Sequence, residues 1–259
     1  MQPRNSAWLD HLIEEAQVNR LSHIDLLLDA TGLASPLPVT PAHQLNARLF
    51  DNTPEHALSQ QGAHLRRISL DDPVQRTAAH ALSDALGAGR VLALFSKWPF
   101  EPLVAHLRHC TQAHWGKEQH SGLLRFYDPR LFRTCCEALL PNQSAWFHSP
   151  AIAWYWRDSA GQPQQWAGQP QRPEDTPSPL PALHLSDSQL FELVAWSEAV
   201  RFCDTHALTH RDAGLPSQDA LHRHVTSGIR AAQREQVLDS DRDDFLLGWI
   251  GQQQQRPLT

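Results

Sequence analysis

With 259 residues, 41% of them hydrophobic and 19% charged, the chain has the composition of a folded globular protein and not of a disordered one. Twenty-eight acidic against twenty-two basic residues give a formal charge of −6, which argues against nonspecific attraction to DNA or to an acidic membrane face and leaves only a local basic patch open. Lys97 and Lys117 are the only lysines, and a base-composition bias of the genome explains that more simply than phosphate recognition does.

Ser6 is placed to cap an opening amphipathic helix with Trp8, Leu9, Leu12, Ile13 and Ala16 on one face. The N-terminal stretch has no uninterrupted apolar h-region, and no run approaches the ~20 apolar residues of a spanning helix, which predicts a protein that stays in the cytoplasm. Residues 24–29 read as a strand, 41–50 as a short helix and 64–70 as a second strand. Asp72 caps a helix over 73–86, Gly87 and Gly89 break it, and 91–95 is a third strand of purely apolar character. Residues 101–115 read as helical. Next comes GLLRFYDPRLF at 122–132, where 123–127 suit a strand and Asp128-Pro129 start a helix. The carboxylate accepts from an exposed N–H of the first turn, and proline loses nothing by lacking an N–H there. That helix would carry Leu131, Phe132, Cys135 and Leu139 inward and end at Pro141.

Between 161 and 181 six prolines and almost no aliphatic residues mark a semi-stiff linker or a surface loop. Beyond it the pattern is wholly helical. Ser186 with Gln189 opens a helix to 207, Ser217 one to 237, and Ser240 with Asp243 a last one carrying Phe245, Leu246, Trp249 and Ile250, before the low-complexity run 252–255. The expected organisation is an α/β lobe over 1–160 with a mixed sheet layered with helices, the proline-rich segment 161–181, and a smaller all-α lobe over 182–259. Cys110, Cys135, Cys136 and Cys203 lack C-x-x-C spacing and are expected to be reduced thiols with structural roles.

The 122–132 stretch resembles the signature of the type VI secretion effector chaperones, or adaptors, a family of Gram-negative bacteria long catalogued only as a domain of unknown function. IDLLLDA at 24–30, ARLF at 47–50, HLRH at 106–109 and WFHSPAIAWYW at 146–156 agree with that family in order and spacing. Where members usually carry a glycine-proline turn before the second strand, this chain has QQGAHL at 60–65. SGIRAAQREQVLDSDRDDFLLGWI at 227–250 is similar to the family's C-terminal helices. The resemblance implies a non-enzymatic cytoplasmic protein that binds the N-terminal region of one cognate effector and delivers it to the spike protein; no cofactor is expected, and the histidine spacings lead to no expected metal. Arg125, Tyr127, Asp128, Pro129 and Arg130 are then signature residues, either a partner contact or a charge network pinning a strand-to-helix corner.

The alternative is a hydrolase-like enzyme of unknown reaction. Asp25, Asp29, Asp71, Asp72 and Asp128 could form an acidic cluster if they met at strand ends, although capping explains Asp72 and Asp128. The sequence contains no G-x-S-x-G elbow, P-loop or G-x-G-x-x-G fingerprint. His206 and His210 have the i, i+4 spacing of metal ligands on a helix, yet sixteen histidines produce such a pair by chance, and His222 with His224 would diverge on a helix. Aromatic residues are the better pointers to a partner. Trp154 and Trp156 share one face of a strand, where they either fill a core or, if exposed, anchor an interface. In the 186–207 helix, Leu190, Leu193, Val194 and Val200 form one apolar side and Phe191, Ala195 and Phe202 a second. Either the helix is central or its second side awaits a partner.

Overall fold

The protein is described by a computed structural model covering residues 5–254 except 119 and 178. It divides into two units, Met1–Ser186 and Asp187–Thr259. In the first, α1 (Asn5–Val18) begins one residue ahead of Ser6, so Ser6 lies inside the helix and not at its cap. β1 (His23–Asp29) follows and is buried from Ile24 onward. Its two faces do different work. Ile24, Leu26 and Leu28 join Trp8, Leu9 and Leu12 of α1 in one apolar cluster, while Asp25, Leu27 and Asp29 occupy the other face.

Six strands form one wholly antiparallel sheet. β2 (Asn46–Arg48), β3 (Ala63–Ser69), β4 (Val91–Phe95), β7 (Ala153–Arg157) and β8 (Pro163–Ala167) join β1 in the order β2-β3-β1-β4-β7-β8. β3 and β4 flank β1 and are linked by α2 (Pro73–Leu86), whose Ala79 and Leu82 enter the same cluster as α1. Asp72 caps α2 as expected, accepting from Val74 N at 2.8 Å and Gln75 N at 3.2 Å. A second sheet has the order β6-β5-β9, built from β5 (Gln112–Trp115), β6 (His120–Leu123) and β9 (Leu183–Leu185), with β5 and β9 parallel. Between the sheet strands lie α3 (Phe100–Cys110), α4 (Pro129–Ala138) and α5 (Pro141–Phe147).

Several expectations change. Residues 41–50 are no helix: Arg67 N bonds Leu45 O at 2.9 Å, and β3 captures 46–48 as an edge strand. The 101–115 helix stops at Cys110, because 112–115 pair with β6 and with a segment about 70 residues downstream. The signature strand ends at Leu123, and a turn closed by Asp128 N and Arg125 O separates it from α4. Pro141 both follows α4 and opens α5. Within the expected linker, 163–167 form an edge strand whose register sets Trp166 opposite Trp154.

The second unit holds α6 (Asp187–Thr205), α7 (Gln218–Arg234) and α8 (Arg242–Gln254). Ser217 caps α7 by accepting from Ala220 N at 3.2 Å. Ser240 falls in a 3-10 turn ahead of α8 instead of capping it. Gly228 lets α7 approach α8 closely, since a Cβ there would stand 2.9 Å from Trp249. Ala195, Ala199, Phe202, Val225, Ile229 and Leu246 form the core of this unit. The run 252–255 passes out of the described residues at its last position.

Candidate functional site

The signature residues converge on the end of β1. Arg125 Nη2 donates to Asp29 Oδ2 at 3.1 Å and to Asp128 Oδ2 at 3.3 Å. Arg130 grips Asp128 with both Nε and Nη2, each at 2.8 Å, and its backbone N donates to Asp128 Oδ1 at 3.1 Å, the cap of α4. Asp29 Oδ1 also accepts from Thr31 N at 3.0 Å, and Arg90 donates to the carbonyls of Asp29 and Thr31. Two carboxylates thus face two guanidiniums, and the bidentate geometry is the strong form of this pair. Asp29 is fully buried, whereas the side chains of Arg125 and Arg130 keep 38% and 52% of their surface exposed. Tyr127 is buried against Phe50 and Phe126, and burial pushes its hydroxyl up to about 12. Pro129 is buried at the first position of α4.

Residues 26–145, which contain this corner, match one family model. They form a DUF4123 domain, a domain of unknown function. No curated protein and no solved structure matches the chain. Trp154, Trp156 and all of the helical unit lie beyond the DUF4123 segment.

The five carboxylates do not meet in one cluster. Asp29 and Asp128 share Arg125, but Asp25 has its own partner, Arg67, which sits opposite it on β3 and donates to both carboxylate oxygens at 2.8 and 2.9 Å. Burial raises the Asp25 carboxyl to about 6, against the pull of Arg67. Asp72 is engaged at the α2 cap, and Asp71 is exposed beside it. Ser22 Oγ stands 3.2 Å from His23 Nδ1, with His23 Nε2 3.7 Å from Asp25. Burial, aided by Arg67, lowers this imidazole to about 4, so it is a weak base, and Arg67 already occupies both oxygens that would orient it.

Histidine spacing does not produce a metal site. His206 and His210 fall past the end of α6, where Ala207 takes φ 51°, so they do not share a helix face. His206 instead meets Asp243 at 3.3 Å, and among the described residues no group of three His, Cys, Asp or Glu is arranged to hold a metal. His222 and His224 diverge on α7, one edge-on to Trp196 and the other stacked on Trp249. All four cysteines are buried thiols.

Trp154 and Trp156 are core residues, not surface anchors. Both contact Phe132 at 5.1 Å between ring centroids and are 0% and 4% exposed, because β7 is an interior strand with α4 packed over this face. Ala195 and Phe202 are likewise in the core of the helical unit, and Phe191 is packed at its margin. The side expected to await a partner is therefore the one that binds α7 and α8. Val194, assigned to the other side, is 42% exposed.

Val194 lies on a groove that sequence periodicity missed. Two hollows of about 360 and 220 Å³ lie along α6, sharing the ion pair of Glu198 with Arg242 at 2.5 Å. Phe191, Val194, Ala232 and Val237 give the first its apolar lining, and Phe202, Ile229 and Leu246 the second. The missed signal was the stripe Phe191, Val194, Glu198, Arg201 and Thr205, which reads as an ordinary mixed helix surface until α7 and α8 supply the opposite wall.

Proposed function

We propose that this protein is a non-enzymatic cytoplasmic adaptor that binds one secreted type VI effector and hands it to the spike protein. The observation that carries this reading is the RFYDPR signature, Arg125 to Arg130, lying within the DUF4123 segment and resembling the adaptor signature. A second support is the division of labour between units. In the α/β unit the conspicuous charged residues are spent on each other, Asp25 with Arg67 and Asp29 with Arg125, which suits a scaffold. The helical unit carries an open groove lined by apolar and polar side chains in comparable measure, a feature suited to holding a polypeptide reversibly. The mechanism is recognition and release: enough apolar area to shield an effector segment, with polar edges that let the spike compete.

Deleting the gene and following secretion tests the reading. Export of the effector encoded beside the spike gene is expected to fall to background while the spike itself is still secreted, and a point variant that breaks the groove is expected to reproduce the loss. Undiminished export of that effector from the deletion strain contradicts the proposal.

A further inference from the structure

We infer that the α6 groove takes an amphipathic α-helix of about four turns that presents an acidic residue to Arg201. The length comes from α6 itself. On α6 the residues lining the groove run from Phe191 to Thr205, fifteen positions whose first and last lie ~21 Å apart at 1.5 Å per residue.

The occupant's conformation follows from the walls. They are side chains of α6, α7 and α8 together with the turn between the last two, and helical backbone is satisfied within its own helix. An extended peptide laid here would find no sheet edge for its own N–H and C=O groups, whereas a helix satisfies them internally and offers only side chains. Apolar residues spaced to meet Val194 at one end and the Phe202 hollow at the other would be buried on either side of the Glu198–Arg242 pair.

Charge decides what else the helix carries. Glu198 and Arg242 neutralise one another. Of the other carboxylates lining the groove, Asp243 meets His206 at 3.3 Å, and Asp239 lies in the turn leading into α8, whose exposed backbone N–H groups favour negative charge. Arg201 is different: among the described residues no carboxylate lies within ion-pair distance of it, and neither Glu198 nor Asp204, one turn away on either side, reaches it. An acidic side chain on the incoming helix supplies the missing charge.

The biological source of the helix, an effector segment, rests on the adaptor reading, but the groove chemistry is tested without it. The probe is a displayed library of random 16-residue peptides selected against the full-length protein. Enriched sequences are expected to show apolar residues at helical spacing with an Asp or Glu between or beside them, and to bind Val194→Glu at least tenfold more weakly, a variant that folds normally because the residue is at the surface. Arg201→Glu is expected to shift the selected charge from acidic to basic. The inference is overturned if nothing is enriched, if the enriched peptides lack helical periodicity, if they bind Val194→Glu equally well, or if Val194→Glu instead dissociates a dimer of this chain. Enrichment of acidic helices together with effector export that ignores the protein sinks the adaptor reading and leaves the groove. Effector capture unaffected by Val194→Glu does the reverse.

Discussion

Asp29 and Arg125 are 96 positions apart in the chain, and their side chains meet at 3.1 Å, closing the end of the central strand onto the turn that launches α4. Because Asp29 is fully buried while Arg125 is partly open, the two partners lose different things when the pair is broken.

Asp29→Ala removes the one anion that faces Arg125 from the sheet and leaves Thr31 N without its acceptor. It is expected to destabilise the protein by about 2 kcal/mol, below the 3 to 5 kcal/mol of a wholly buried pair because water reaches the arginine. Asp128→Ala is expected to cost about 1 kcal/mol, the value of a helix N-cap, since Arg130, which holds it at the shortest distances, is the more exposed of the two arginines. Denaturant midpoints decide the order. Asp128→Ala costing more than Asp29→Ala would contradict that order, and abolished effector binding with an unchanged midpoint would make the signature a contact site and not a corner brace.

Buried histidines set the acid limit. His23, His106 and His148 are all lowered to about 4, chiefly by burial, from an unfolded value of 6.5. Between those values the unfolded chain binds more protons, so each contributes stability that is full above pH 6.5 and is lost as pH falls toward 4. Asp25, raised from 3.8 to about 6, acts in the opposite direction over most of that window, and three against one leaves the histidines dominant. Stability is expected to fall by roughly 2 kcal/mol per pH unit between pH 6 and pH 4.5. His148→Gln should flatten the slope, and a profile independent of pH in that range contradicts the assignment.

Phe202 and Val194 exchange the roles that periodicity alone assigns. Phe202→Ala is expected to cost about 3 kcal/mol or more as a core truncation of the helical unit, with Val194→Ser changing stability by less than about 0.5 kcal/mol. Circular dichroism melts of both variants check this. Normal stability of Phe202→Ala would return that residue to the surface.

Three helices end on a non-glycine residue in the left-handed region: Arg20 after α1, Ala207 after α6 and Gln236 after α7. Each is followed by the wide backbone bond of that cap, Leu21 N to Ala16 O, Leu208 N to Cys203 O and Val237 N to Ala232 O. Ala207→Gly is expected to stabilise the helical unit by about 1 kcal/mol by removing a Cβ that the conformation disfavours, measured by the shift in thermal midpoint. A lower midpoint would mean that the unfolded-chain entropy of glycine prevails.

Those ends also explain what the sequence concealed. Without a glycine stop, α6 and α7 read two and three residues too long at their C-termini. By contrast β1, β4, α2 and the Asp128 cap were legible, because an unbroken apolar run, or an Asp-Pro step followed by 3.6-residue periodicity, is decided locally. The strands β2, β5 and β9 were not, since three or four residues become strand only when a distant partner pairs with them. The same reason hid the site. Arg125, Asp128 and Arg130 are visible as a motif, but that Asp29 completes them depends on the fold, and the groove exists only once α7 and α8 stand opposite α6.

The most direct test of the adaptor proposal is co-expression of the full chain with the untagged effector encoded beside the spike gene, followed by light scattering on the purified material. The expected result is a stoichiometric complex that forms with the wild-type protein, is weakened at least tenfold by Val194→Glu, and is dissolved when purified spike protein is added. A chain that elutes alone while the effector is secreted normally without it would contradict the proposal.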